Sequence, residues 1–226
     1  MTIPKTTIES IEKGIREHQE NWQLVTLGMG CFWGPDARFG SKRGTMQTCV
    51  GYAGGTSQTP TYRQMGDHTE TVQLLFDPLQ ISYEDILREF WQNHYPNRDQ
   101  YKGRQYMSLL FYHTEDQRLL IEVVKKEMEK SLGEPIETEI VPFHEFTPAE
   151  ERHQKYYLKR YPNALDQLSE MYPFHEQLKN STFAARLNGF VKGFGAKESV
   201  RKDIAQWNMT DEEKHILTNL FSALKW

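Results

Sequence analysis

The sequence runs to 226 residues, with 38% hydrophobic and 12% aromatic residues, a formal net charge of −4 and an isoelectric point near 6.1. That is enough chain for one substantial domain with an appendage, or for two small ones, and the aromatic share compensates for a modest aliphatic core. The acidic balance speaks against a nucleic-acid binder, which would carry a basic surplus. No run approaches the ~18–20 apolar residues of a membrane span, and the polar, acid-bearing first twenty residues are not a secretory signal. Two cysteines, Cys31 and Cys49, are too few for a disulfide scaffold and lack zinc-ligand spacing, so a reducing, cytoplasmic setting is the default.

In chain order, residues 1–20 read as a polar helical extension on the surface. Trp22 to Leu27 reads as a strand running into Gly28-Met-Gly-Cys-Phe-Trp-Gly34, and Pro35 suits the first turn of a helix. Cys31 is therefore expected at a strand-to-helix turn. A second strand, about Thr45 to Val50, is expected to end at the permissive loop Gly51-Tyr-Ala-Gly-Gly55. Thr71 to Asp77 alternates Val72, Leu74 and Phe76 on one face, as a half-buried strand does. Ser82 caps a helix carrying Ile86, Leu87, Phe90 and Trp91 on one stripe. Gln105 to Tyr112 reads as a strand, and Thr114 with Gln117 as the capping box of a helix through about Leu132. Ile136 to Val141 reads as a further strand. Thr147-Pro148-Ala149-Glu150 combines a capping box with an N-terminal proline, which predicts a helix through Leu158. Strands alternating with helices indicate an α/β or α+β sandwich with a mixed sheet. From about Tyr161 only helical spacing is seen, including Phe183, Leu187, Phe190 and Val191, and a last helix capped by Thr210 with Glu213.

Cys31 is the first chemical candidate. A helix N-terminus offers free N–H groups that lower a thiol's pKa, and Gly28, Gly30 and Gly34 let another molecule approach the backbone. The competing reading is a small buried hydrophobe in a tight turn. Glu70 is the second candidate: two residues before Val72, it would share the apolar face, where desolvation favours a protonated carboxyl able to act as a general acid. Its alternative is a solvent-facing strand end. Tyr62 and Tyr106 are hydroxyl donors on a loop and a strand. His68 and Glu70 form an H-x-E pair, but no P-C-x-x-C follows, so no metal site is expected. His144 and His153 read as structural or exposed, and Glu150-Glu-Arg-His153 as a solvated helix turn.

Gly30-Cys-Phe-Trp-Gly34 resembles the signature of the A class of peptide methionine sulfoxide reductases (MsrA). Similar agreement comes from Val50-Gly-Tyr-Ala-Gly-Gly55, Pro60-Thr-Tyr-Arg63, His68-Thr-Glu70, Phe76-Asp-Pro78, Phe90-Trp-Gln-Asn-His94, Gln105-Tyr106 and His153-Gln-Lys-Tyr156. The resemblance is collinear from about Val25 to Arg160; Leu187-Asn-Gly-Phe190 looks like the extension of an animal-type branch.

The resemblance implies an α+β fold, a two-layer sandwich with a mixed, ferredoxin-like sheet, spanning residues 21–160 and followed by a helical appendage over 161–226. It implies that Cys31 attacks the sulfoxide sulfur, Glu70 supplies a proton, and Tyr62 and Tyr106 hydrogen-bond the oxygen. Phe32 and Trp33 would hold the S-methyl group. The products would be methionine and a cysteine sulfenic acid, with the S epimer as substrate, free or in oxidised proteins, and no cofactor. Two departures stand out: Tyr101 occupies the position where many relatives carry an Asp, and no cysteine follows Cys49, although many relatives carry recycling thiols in a C-terminal tail. Cys49 is then the sole internal candidate for a resolving thiol. An external reductant, thioredoxin or glutathione with glutaredoxin, is the favoured scheme. Two other classes compete: a Cys–His hydrolase using His68 or His94 as base, and a non-catalytic module that recognises oxidised methionine.

Overall fold

A computed structural model describes residues 5–16, 19–97 and 103–226; Tyr101 lies outside the described residues. Among them, helix α1 (Lys5–Ile15) precedes β1 (Gln23–Met29), α2 (Trp33–Gly40), β2 (Thr45–Ala53), β3 (Thr69–Phe76) and α3 (Tyr83–Gln92). There follow β4 (Ser108–Tyr112), α4 (Glu115–Leu132), β5 (Glu139–Pro142) and β6 (Phe146–Pro148). The C-terminal part holds α5 (Pro162–Ser169), α6 (His175–Asn180), α7 (Thr182–Lys192), α8 (Lys197–Gln206) and α9 (Asp211–Ala223). The fold is α+β. Its strands form one mixed sheet in the order β5-β4-β1-β3-β2-β6, antiparallel except for the parallel pair β4–β5.

Alternation along the strands decides what each face does. Val25 and Leu27 of β1, Val50 and Tyr52 of β2, and Val72, Leu74 and Phe76 of β3 enter the main core with Ile86, Leu87 and Phe90 of α3 and Ile121 and Val124 of α4. Each fully buried aliphatic or aromatic side chain there stabilises the fold by roughly 1.5–3 kcal/mol relative to exposure. On the opposite face, Ala53, Leu109 and Phe111 pack with Phe143 and Phe146. Ser82 caps α3 in a reciprocal box with Asp85, as its sequence indicates. Thr114 caps α4, but Gln117 Oε1 accepts the N–H of His113, one residue before the cap, so the predicted box is incomplete. No helix among the described residues is long and apolar enough to cross a membrane.

Several boundaries differ from the sequence reading. Residues 51–53, expected in a loop, continue β2, because Gly51-Tyr-Ala53 pairs with β3 on one side and with Phe146–Pro148 on the other. Gly51 is required there: a Cβ would lie 2.4 Å from both the Phe146 ring and the Thr147 carbonyl oxygen. Residues 105–107 are not strand; Gly103–Tyr106 is a 3₁₀ turn, entered through Gly103 at φ 61°. The surface helix of the N-terminus is amphipathic instead, since Ile11 and Ile15 are buried with α5–α9.

The largest discrepancy is the helix predicted over 147–158, which does not form. Thr147 and Pro148 belong to β6, Glu151–His153 is a single 3₁₀ turn, and Lys155 sits at φ 51°, where an α-helix cannot continue. Tertiary bonds override the local signal. Gln154, buried, pairs with Val50 like a strand residue, its Oε1 accepting the N–H at 3.0 Å and its Nε2 donating to the carbonyl at 2.8 Å. Lys155, fully buried, donates through Nζ to Asp36 Oδ1 (3.1 Å) and to the Thr48 carbonyl (2.6 Å). Asp36 also accepts from the Lys155 N–H and from Asn188 Nδ2 of α7, which ties α2, this segment and α7 together. Lys155→Met should cost about 3–5 kcal/mol, because it strands a buried carboxylate. Urea denaturation measures this, and a loss under about 1 kcal/mol would show that the pair is relaxed elsewhere.

Candidate active site

Strand β1 delivers Cys31. Its last residue, Met29, is followed by Gly30 at φ 91°, a left-handed conformation that turns the chain sharply and that side-chain-bearing residues resist. Phe32 then takes the cap position of α2 without a side-chain cap, and Cys31 stands exposed on the turn, as its sequence indicates. The expectation of a depressed thiol pKa is not met. Partial burial of the sulfur pushes the thiol up, the Trp33 N–H pulls it down, and Glu70 pushes it up again. The pull of the helix-start N–H of Trp33 is outweighed by burial, and the N–H of Phe32 is given to Glu70.

Glu70 lies on β3 opposite Tyr52, on the core face, with 1% of its surface exposed. Its Oε2 accepts the Phe32 N–H at 3.1 Å and its Oε1 accepts Gln105 Nε2 at 2.8 Å. Burial raises its pKa, with the Gln105 and Phe32 bonds opposing. Desolvation is the larger effect. The solvent-facing alternative for Glu70 does not hold.

Tyr106 enters from the 103–106 turn. Its hydroxyl is hydrogen-bonded with Tyr62, and its pKa is pushed up by burial and then by Glu70, Tyr62 and Cys31. Tyr62 is held at its backbone by Glu150 Oε1 (3.1 Å), and its ring lies 4.6 Å from that of His153. Phe32 is buried against Tyr52 and His153. Trp33 stacks flat on Tyr156 at 3.7 Å and donates through Nε1 to His153 Nδ1 at 3.2 Å. Cys31, Glu70, Tyr62, Tyr106, Phe32 and Trp33 thus surround one place.

His153 was missed by sequence reasoning. It is 4% exposed and burial lowers its pKa. Glu150, read as solvated, bonds the Tyr52 hydroxyl at 2.7 Å. Both misreadings follow from the helix assigned to this segment, and the His153-Gln-Lys-Tyr156 match was the signal that could have corrected them.

Cys49 is not part of this group. It is buried on β2, level with Gln73 and through it with Thr26, and alternation places it on the face opposite Glu70. Two strand spacings and the run from Thr26 to Cys31 separate the two thiols by roughly 15 Å or more. A disulfide needs Cα atoms about 4.4–6.8 Å apart. The histidines proposed as bases are engaged elsewhere: His68 accepts from the Gly55 N–H and bonds the Ser57 carbonyl, and His94 bonds the Phe90 carbonyl and Ser108 Oγ.

A thiol near a buried carboxyl whose pKa is raised by desolvation, rimmed by hydroxyls and rings, can pair nucleophilic attack with proton delivery; this is an enzyme's arrangement. Residues 23–187 match the family model for peptide methionine sulfoxide reductase. The peptide methionine sulfoxide reductase of Drosophila melanogaster is 40% identical over 191 residues, covering 84% of this chain and 76% of that protein. The MsrA of Methanosarcina acetivorans is 40% identical over 151 residues, covering 62% of this chain and 80% of that one. Among solved structures, Mxr1 from Saccharomyces cerevisiae in reduced form superposes with a TM-score of 0.57 at 29% identity, over 63% of this chain and 87% of that one. Methionine sulfoxide reductase A of Corynebacterium diphtheriae gives 0.56 at 28% identity, over 65% and 78%. The chain belongs to the peptide methionine sulfoxide reductase family, as an oxidoreductase of the MsrA type.

Proposed function

We propose that this chain reduces methionine S-sulfoxide, free or within oxidised proteins, through a sulfenic acid on Cys31. The carrying observation is the junction of thiol and acid: a buried carboxyl kept toward its protonated form accepts the N–H of the residue next to Cys31. In this scheme the Cys31 thiolate attacks the sulfoxide sulfur while Glu70 protonates the sulfoxide oxygen, which Tyr62 and Tyr106 hydrogen-bond. The resulting hydroxyl passes to the Cys31 sulfur as the bond between the two sulfurs breaks and its electron pair leaves with methionine. Phe32 and Trp33 wall the S-methyl group, using the soft contacts sulfur makes with rings. One thiol and one sulfoxide give one methionine and one sulfenic acid. Two reductant thiols then return Cys31 and leave as a disulfide, with the oxygen released as water.

The reductant is external, thioredoxin or glutathione with glutaredoxin. Supporting this are the exposure of Cys31 and its separation from Cys49. The scaffold reading is a two-layer, ferredoxin-like core, supported by the antiparallel order β4-β1-β3-β2 within the sheet.

Racemic methionine sulfoxide incubated with enzyme and dithiothreitol should be consumed to one half and stop, leaving the R epimer. Consumption of both epimers, or of neither, overturns the proposal. Trp33→Ala should raise KM for a sulfoxide peptide and weaken discrimination against bulkier S-alkyl analogues. Unchanged values for both substrates would assign the ring to the scaffold.

A further inference from the structure

We propose that Gln105 is a positioning residue for the acid step, holding Glu70 Oε1 as an acceptor so that the transferable proton resides on Oε2. This rests on the reading of Glu70 as proton donor. A protonated carboxyl has one carbonyl oxygen, a good acceptor, and one hydroxyl oxygen, a poor one. Both Glu70 oxygens face donors, but unequally: Gln105 Nε2 stands 2.8 Å from Oε1, whereas the Phe32 N–H stands 3.1 Å from Oε2. The shorter bond claims the carbonyl oxygen. The proton is left on Oε2, the oxygen bonded to the residue that follows Cys31.

Gln105 can impose this because its turn is pinned. The Arg104 carbonyl accepts Thr69 Oγ1 at 2.7 Å, Arg104 Nε donates to the Asp67 carbonyl at 3.1 Å, and the guanidinium grips Glu139 at 3.0 and 3.2 Å. These bonds fix the turn against both the start of β3 and β5. Tyr106 follows directly in the same turn, so one clamp sets both the acid's partner and a hydroxyl of the site. Glu70 itself raises the pKa of three neighbouring groups, Cys31 on the turn after β1, Tyr52 on β2 and Tyr106, whereas its own pKa is set by burial and by the Gln105 and Phe32 bonds. Burial raises the pKa of all three, so they are neutral near pH 7 and the Gln105 dipole is not swamped by a charge.

The test is a carboxyl titration by ¹³C NMR of glutamate-labelled protein, with the Glu70 resonance identified by its loss in Glu70→Gln. Gln105→Leu removes the donor and should move the Glu70 titration upward by about one pH unit. Gln105→Glu places a second carboxylate there and should move it further in the same direction. The acid limb of single-turnover sulfenic acid formation should shift by the same amount, which a merely structural role would not produce. In the wild-type protein, the Gln105 side-chain amide protons should titrate together with Glu70, a readout that needs no variant to fold. An unmoved Glu70 titration, or amide protons that ignore it, overturns the inference. A downward shift overturns it too, since the amide would then be accepting the acid proton rather than donating. Failure of the underlying reading looks different: Glu70→Gln would keep its rate while the titration shift persisted.

Discussion

Cys31→Ser should leave no measurable sulfoxide reduction, whether dithiothreitol or thioredoxin is the reductant. A serine hydroxyl at neutral pH supplies almost no alkoxide, and an alkoxide cannot take up oxygen to form a sulfenic acid. The substitution is nearly isosteric on an exposed turn, so the fold should survive; Gly30, whose positive φ makes the turn, is untouched. Cys49→Ser is the matched control and should keep the first turnover, since Cys49 lies on the far face with its thiol directed to the Val50 carbonyl. Methionine release from the Cys31 variant at a rate near wild type would refute the assignment. Loss in both variants would instead show that Cys49 takes part.

Glu70→Gln should slow sulfenic acid formation by about 10²–10⁴-fold with little change in substrate affinity, the range typical of a lost general acid. An amide keeps the size of the side chain and one acceptor for the Phe32 or Gln105 donor, but has no proton to deliver. The pH profile adds a sign. Glu70 and Cys31 both have raised pKa values, Glu70 chiefly by burial and Cys31 chiefly by burial with Glu70 adding to it. The reactive form holds one proton on the pair, as thiolate with acid. The wild-type rate should therefore climb as pH rises through the Glu70 pKa, stay level, and fall as pH passes the Cys31 pKa. In Glu70→Gln the level stretch and the alkaline fall disappear, and the rate should rise steadily with pH until the thiol is ionised and then stay level. Rapid-quench single turnovers across pH measure this. A variant slowed only in the later reduction of the sulfenic acid would place Glu70 in recycling.

Much of the site could be read directly from local order. The period-2 run Val72, Leu74, Phe76 extends back to Glu70 by alternation alone, so a carboxyl on an apolar face was legible without any tertiary knowledge. The strand running into Gly28 and the helix start signalled by Pro35 placed Cys31 on a turn for the same reason. Backbone preference and alternation act over a few residues, and such features survive in the chain's own pattern.

What the sequence could not decide involves groups that meet from distant segments. The Thr147-Pro148-Ala149-Glu150 signal is a sound helix start by local rules, yet the segment becomes strand and turn because Gln154 completes the β2 ladder and Lys155 meets Asp36, 119 residues away. A hydrogen bond or ion pair formed in a dry interior outweighs a capping preference worth about 1 kcal/mol. That reversal brought His153 and Glu150 into the site. The state of the thiol was settled the same way: local order placed Cys31 at a helix start, but desolvation and the neighbouring carboxyl, both products of packing, raise its pKa. Sequence by itself thus determined that Cys31 stands on a turn and Glu70 in line with an apolar face, since that depends on neighbours in the chain. Only the tertiary structure decided their protonation, their partners and the separation of the two thiols, since these depend on which distant groups exclude water together.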